Sequence, residues 1–222
     1  MATASQLPDN EALQLVVEAT AAARLEPGRD VAIALDVAAT HFFADGEYRL
    51  QSEGGRSLSA EGMVERLADW VARYPIVSIE DGLAEDDWDG WRLLTDALGS
   101  KVQLLGDDLF TTNVARIEEG VAAGVANSVL IKLNQIGTLW ETLEALVACR
   151  RSNYRPVVSA RSGETEDFTI ADLAVGTGAG QIKIGSVARS ERLAKYNRLL
   201  RLEEWLGPDA PFASRSTLAR SQ

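Results

Sequence analysis

The sequence predicts an α/β protein with about six parallel strand–helix units, and two features of the sequence support this prediction. Short runs of valine, isoleucine and leucine recur along the chain, as expected of parallel strands that are covered on both faces. Longer segments with helical periodicity separate these runs, which indicates right-handed strand–helix–strand crossovers. The six strand candidates are residues 31–36, 75–81, 102–107, 128–133, 156–160 and 181–185.

Four helices are predicted between or beside these strands because apolar residues recur at three- and four-residue steps. Asp9 and Asn10 are candidate caps of the first helix and Ser59 of the second, whereas Gly207 is a stop signal for the last. The segment 44–56 is predicted to form a hairpin because Asp45–Gly46 favours a two-residue turn. The predicted helices are residues 10–24, 59–74, 138–150 and 190–206.

Six strands leave two architectures open, a doubly wound sheet and a barrel, since a closed (β/α)8 barrel has eight strands and about 250 residues. With 222 residues and no low-complexity linker, the sequence predicts one domain over 10–207, preceded by an extension (1–9) and followed by a tail (208–222).

The composition limits the possible partners and compartment. A net charge of −11 argues against nucleic acid or an anionic membrane as the main partner. The sequence contains no run of 18 apolar residues, so no membrane span is predicted. The first residues lack the pattern of a secretory signal. Because Cys149 is the one cysteine, no internal disulfide can form, and a reducing, cytoplasmic location is expected.

Ionisable residues stand at or near the ends of five predicted strands, where parallel sheets collect their functional groups. Three of these residues are carboxylates (Asp36, Glu80 and Asp107), and an all-oxygen set of this kind suits Mg²⁺. Lys132 and Lys183 occupy two later strands, where a lysine close to a cation could act as a general base. Removal of the α-proton of a carboxylate substrate gives an enediolate, whose charge Mg²⁺ can stabilise.

Several long motifs resemble the C-terminal barrel of the enolase (phosphopyruvate hydratase) family. The resemblance is collinear from about Asn10 to Gly207 and implies an incomplete enolase-type TIM barrel with about six strand–helix units. It also implies an Mg²⁺-dependent lyase that dehydrates 2-phosphoglycerate to phosphoenolpyruvate, a glycolysis-type reaction. The motifs are IALDVAAT, PIVSIED, LLGDDLFTTN, LIKLNQIGT, SARSGETED and GQIKIGS.

The resemblance assigns roles to particular residues of this chain. Asp36, Glu80 and Asp107 correspond to the Mg²⁺ ligands, and Lys132 corresponds to the base that removes the C2 proton. Lys183 corresponds to a second lysine that contacts the carboxylate region of the substrate.

Two residues in the SARSGE segment complete the implied site. Arg161 and Ser162 correspond to phosphate-binding groups, and the planar guanidinium of arginine suits that ligand.

The sequence departs from the family pattern in three respects. Ala160 stands where enolases have a histidine, and Gly82 replaces a proline, which is expected to loosen the loop after Glu80. The GDEGGFAPN-type segment with the general-acid glutamate, the first barrel strands and the capping domain have no counterpart in these residues. The expectation is therefore impaired activity alone, with a complementing chain or a homo-oligomer supplying the absent parts.

Two other functions remain open at this stage: a non-catalytic or regulatory enolase paralogue, and altered chemistry on a related phosphonate or enolpyruvate substrate. His41 could replace the missing acid, but a structural role is favoured. The remaining polar residues receive simpler predictions: Cys149 belongs to the core, whereas the charges of Asp81, Asp108, Glu85, Asp86, Asp87, Arg189, Arg192 and Lys195 are solvated.

Overall fold

A computed structural model describes residues 11–219, except for the side chain of Ser52. The helices in this range are α1 (Glu11–Ala22), α2 (Ala60–Arg73), α3 (Trp88–Leu98), α4 (Val114–Ala123), α5 (Leu133–Ile136), α6 (Leu139–Arg151), α7 (Thr169–Gly176) and α8 (Ser190–Leu206). The strands are β1 (Ile33–Asp36), β2 (Phe43–Ala44), β3 (Glu47–Leu50), β4 (Arg56–Leu58), β5 (Ile76–Glu80), β6 (Gln103–Gly106), β7 (Ser128–Ile131), β8 (Arg155–Ser159) and β9 (Ile182–Lys183).

The described chain divides into two compact units, each with three parallel strands. The first unit consists of residues 11–109, 119–127 and 218–219, and its strands follow the order β1–β5–β6. The second unit consists of residues 110–118 and 128–217, and its strands follow the order β7–β8–β9. The predicted α/β class with six parallel strands is confirmed.

The strands of the two units differ in burial. All residues of β6 and β7 are buried, as the continuous apolar runs predict. β1 is an edge strand of the first unit, and only Ile33 of its four residues is buried. The prediction of a buried strand over 31–36 is therefore wrong for β1, where Ala34 and Asp36 are exposed.

A small antiparallel sheet follows β1 and contains the predicted hairpin. β2 and β3 pair with Phe43 opposite Tyr48, and Asp45 and Gly46 form the two-residue turn between them. Both turn residues have positive φ (54° and 80°), which is the conformation that Asp–Gly favours in hairpins. A third strand, β4, then pairs with β3.

The helix boundaries follow the predicted capping signals. The Ser59 hydroxyl accepts a hydrogen bond from the Gly62 N–H (3.3 Å) at the start of α2, as predicted. Thr138, the first residue of the predicted helix 138–150, caps α6 by accepting from the Glu141 N–H (3.2 Å). α8 ends at Leu206, before Gly207 at φ 60°. The predicted Asp9–Asn10 cap lies outside the described residues.

Burial confirms the predicted role of Cys149 in the core. Its side chain is fully buried in α6, and burial raises the pKa of the thiol to about 12. No helix within residues 11–219 is long and apolar enough to cross a membrane.

Candidate functional site

The three carboxylates predicted as metal ligands lie at the carboxyl ends of the three parallel strands of the first unit. Asp36 ends β1 and stands opposite Glu80, the last residue of β5, in the strand register. Asp107 directly follows Gly106, the last residue of β6. Glu80 is buried, Asp107 is half-buried and Asp36 is exposed.

A tighter group of carboxylates joins Asp107 with two residues that the sequence analysis did not select. In the described part of the chain, one group of three acidic residues has ligand atoms within 4.8 Å of one another: Asp81, Asp107 and Asp108, here called the acidic cluster. The Asp81 carboxylate accepts the backbone N–H groups of Asp107 and Asp108, each at 2.9 Å. Asp81 is only 4% exposed and Asp108 is half-buried, so the prediction of solvated loop charges is wrong for both.

The electrostatics of the acidic cluster favour a cation. Burial raises the pKa of Asp81 to about 8; the two backbone N–H donors oppose this effect, and the carboxylates of Asp107 and Asp108 add to it. Three carboxylates this close repel one another unless a proton or a cation lies between them. The all-oxygen donor set therefore fits a hard metal ion.

A loop after β5 supports this region. Gly82 is buried, and a Cβ atom there would lie 3.0 Å from Leu94 Cδ2; the expected loosening at this glycine stays a prediction. The Tyr48 hydroxyl donates to Asp87 Oδ2 (2.6 Å) and accepts from the Ala84 N–H (3.0 Å). Asp87 also accepts from the Gly90 N–H (2.9 Å), which makes it a helix cap and not a solvated charge.

In the second unit the two predicted lysines lie at strand ends. Lys132 directly follows β7, and its backbone N–H donates to the hydroxyl of Thr112 (3.0 Å), a fully buried residue. Thr112 has φ 57°, which is rare for a β-branched residue, and its contact with Lys132 is not predictable from the local sequence. Lys183 ends β9, and its carbonyl accepts from the Ala160 N–H (2.9 Å). Both lysines are half-buried.

The predicted phosphate-binding residues lie in the loop 160–165 after β8, here called the Arg161 loop. The loop begins next to Lys183, because Ser159, the last residue of β8, stands opposite Lys183 in the strand register. The Arg161 backbone N–H donates to Glu164 Oε1 (2.8 Å) within the loop. Arg161 is half-buried and Ser162 is exposed. The strand register places Lys183 next to the start of the Arg161 loop, and both belong to the second unit.

The prediction of a solvated charged face on α8 is wrong for two of its three residues. Lys195 is fully buried, with its ammonium group 2.7 Å from Glu164 Oε2. The Arg192 guanidinium donates to backbone carbonyl oxygens of the Arg161 loop. One signal could have shown this: residues 192, 195, 199 and 202 follow the three- and four-residue steps of a buried helix stripe, and Leu202 is buried.

His41 lies in a short 3₁₀ turn (Ala39–Phe42) after β1, and its side chain is exposed. The neighbouring Thr40 hydroxyl accepts the Glu85 N–H (3.0 Å), which connects this turn to the loop after β5. The favoured structural role of His41 stays a prediction, as does the alternative in which it replaces the acid.

Comparison with known families decides the architecture. The sequence matches the family described as enolase, C-terminal TIM barrel domain, over residues 2–221. The chain belongs to this enolase family. The match supports the TIM-barrel class over the doubly wound alternative, and the six parallel strands are consistent with an incomplete barrel. For an enolase-type domain, the acidic cluster is the feature of this structure that points to a metal ion.

Proposed function

We propose that the protein is an enolase-type, Mg²⁺-dependent lyase that acts on 2-phosphoglycerate. The observation that carries the proposal is the family match over residues 2–221, together with an acidic cluster that could hold a metal ion. A cytoplasmic, glycolysis-type role is part of the proposal, in keeping with the single cysteine.

Asp36, Glu80 and Asp107 are the proposed ligands of Mg²⁺. Support comes from their positions at the carboxyl ends of three neighbouring parallel strands, with Asp36 and Glu80 opposite each other in the register. When bound, Mg²⁺ would supply the positive charge that offsets the negative charge developing on the substrate carboxylate. Asp81 has a different proposed role: its two oxygens hold the backbone of the segment that carries Asp107.

Lys132 is the proposed base. Its amine takes the proton from C2 of the substrate, and the electron pair of the broken C–H bond moves toward the carboxylate. Lys183 contacts the carboxylate region and offsets its charge. The guanidinium of Arg161 and the hydroxyl of Ser162 bind the phosphate group through charge-assisted hydrogen bonds.

Completion of the dehydration requires a second proton transfer. When the C3–O bond breaks, hydroxide leaves as water only if an acid delivers a proton, and such an acid typically contributes ~10²–10⁴-fold to the rate. We propose that a partner chain or a second copy of this chain supplies that acid, and that the isolated chain catalyses proton removal more readily than net dehydration.

Proton exchange at C2 tests the proposal without requiring the acid. The chain is incubated with 2-phosphoglycerate and Mg²⁺ in deuterated water, and ¹H NMR follows the loss of the C2 proton signal. The expected result is exchange in the wild type and in Lys101→Ala, which alters an exposed lysine, and a loss of at least 10²-fold in Lys132→Ala. Absence of exchange in the wild type at saturating Mg²⁺ would contradict the proposal.

A non-catalytic enolase paralogue is the second candidate, and the observation that favours it is Ala160. Its methyl group stands where the resemblance implies an imidazole, and it can neither donate a hydrogen bond to substrate nor transfer a proton. This candidate predicts Mg²⁺ binding without C2 exchange, and Ala160→His would then leave the exchange rate at zero.

A further inference from the structure

Two basic side chains of α8 hold the Arg161 loop, although the proposed reaction gives neither of them a role. Lys195 is fully buried, and its ammonium donates to Thr165 O (2.6 Å) and Glu191 O (2.8 Å) while it pairs with Glu164. A buried ammonium group is costly unless it is paired and hydrogen-bonded, and here it has three acceptors. Its contacts fix Glu164 and Thr165 near the end of the loop.

The Arg161 peptide is held from both sides by this arrangement. Its N–H donates to Glu164 Oε1 (2.8 Å), the same carboxylate that pairs with Lys195. Its carbonyl accepts from Arg192 Nη1 (2.9 Å), and the carbonyl of Ser162 accepts from Arg192 Nη2 (2.9 Å). The backbone of both proposed phosphate-binding residues is therefore set by one guanidinium.

The same guanidinium also reaches the strand end that carries Lys183. Arg192 Nη1 donates to Ile184 O (3.0 Å), the carbonyl next in the chain after Lys183. Gly185, the next residue, has φ 103°, a backbone conformation that favours glycine. Arg192 thus connects the Arg161 loop to the Lys183 segment through three backbone carbonyls.

We propose that Arg192 is a positioning residue that aligns Arg161, Ser162 and Lys183 for binding a phosphorylated carboxylic acid. The proposal rests on the proposed function, because it takes these three residues as the substrate-binding groups. The fork of an arginine can serve three carbonyls at fixed angles, whereas a lysine in its place keeps the charge but not this geometry. Arg192→Lys therefore separates alignment from charge.

The test compares Arg192→Lys with Arg201→Lys, a matched control at an exposed position of the same helix. Amide hydrogen exchange of the Arg161 loop measures positioning directly and needs no activity. Isothermal titration with inorganic phosphate and with 2-phosphoglycerate measures binding, and C2 exchange gives KM and kcat separately. We expect at least tenfold faster amide exchange in the loop and at least tenfold weaker binding of both ligands in Arg192→Lys. KM should change more than kcat, and Arg201→Lys should match the wild type in every measurement.

The outcomes separate this inference from the proposed function. Loop amide exchange that is equal in Arg192→Lys and Arg201→Lys would overturn the positioning role, whatever the activity. Faster loop exchange with unchanged phosphate affinity would overturn the link to ligand binding. A wild type that binds neither ligand would contradict the proposed function, while the loop exchange would still report on positioning. If Arg192→Lys does not fold, Glu164→Gln weakens the hold on the same peptide from its other side and takes its place in all measurements.

Discussion

The acidic cluster and the Arg161 loop satisfy their charges in opposite ways. In the cluster, the carboxylate of Asp81 accepts two backbone N–H groups and lies close to two other carboxylates. In the Arg161 loop, the carboxylate of Glu164 pairs with the buried ammonium of Lys195 and accepts the Arg161 N–H. Like charges collect in the first region, whereas opposite charges pair in the second.

The pKa values of Asp81 and Glu164 show the consequence of this difference between like and opposite charges. Burial raises the pKa of Asp81 to about 8, since its N–H donors do not offset desolvation and its acidic neighbours add to it. Burial also acts to raise the pKa of Glu164, but the hydrogen bond and charge of Lys195, the Arg161 N–H and the charge of Arg192 together outweigh it and hold that pKa below the ordinary value of 4.5. The charges of the Arg161 loop are paired within the chain by Lys195, whereas the acidic cluster keeps like charges together, an arrangement that a metal ion could neutralise.

The largest effect on stability is expected from Lys195→Met, which breaks the buried pair of the Arg161 loop. The substitution leaves the Glu164 carboxylate, 10% exposed, without its cation, and removal of one partner of a buried pair costs about 3–5 kcal/mol. Urea denaturation measures the free energy of unfolding, with Lys101→Met at an exposed position as the control. A loss below about 1 kcal/mol would mean that the pair contributes no more than a surface ion pair.

The next effect concerns Asp107, which belongs to the acidic cluster and is one of the three proposed Mg²⁺ ligands. Mg²⁺ at 100 times its Kd is expected to raise the free energy of unfolding by about 2.7 kcal/mol, since it binds the folded state. Asp107→Asn should lose most of this gain, while Asp96→Asn, at an exposed position, should keep it. Thermal unfolding with and without Mg²⁺ makes the comparison, and an equal gain in both variants would argue against a metal at Asp107.

A smaller effect follows from the lowered pKa of Glu164. A carboxyl group with a lowered pKa in the folded state stabilises above its ordinary pKa and loses that contribution as pH falls through the folded value. The stability difference between the wild type and Glu164→Gln should therefore be constant above about pH 5, at about 1.5–3 kcal/mol. It should shrink as the pH falls below 4.5, the ordinary value. Urea denaturation between pH 3 and pH 7 measures this stability difference. A difference that grows toward acid pH would contradict a lowered pKa for Glu164 in the folded state.

The smallest effects on stability are expected from the removal of two helix caps, one in each unit, and the two losses should be nearly equal. Ser59→Ala removes the cap of α2, and Thr138→Ala removes the cap of α6. Each should cost about 1 kcal/mol in free energy of unfolding. The two costs should match, because each hydroxyl also bonds a carboxylate in the first turn of its helix: Thr138 to Glu141 Oε2 (2.6 Å) and Ser59 to Glu61. A difference of more than about 1 kcal/mol between the two variants would contradict this expectation.

Much of the fold could be predicted from the sequence, because its signals are local. The Asp45–Gly46 turn, the Ser59 and Thr138 starts and the Gly207 stop each depend on a few neighbouring residues, and the structure has all of them. The parallel strands were predictable for the same reason, since burial on both faces leaves a continuous apolar run. β1 departs from the prediction because the extent to which other elements cover a strand is decided in the folded chain and not by the strand's own residues.

For the candidate site, the sequence predicted which strand ends carry charged residues but not the environment of each charge. Asp36, Glu80, Lys132 and Lys183 are at or next to strand ends as expected, since chain order and strand direction determine where a strand ends. The environment of each charge depended on the tertiary structure, because solvation is set by neighbours that are distant in the chain. Lys195 illustrates this: by itself it resembles a surface charge on a helix, but the folded chain places it, fully buried, against Glu164.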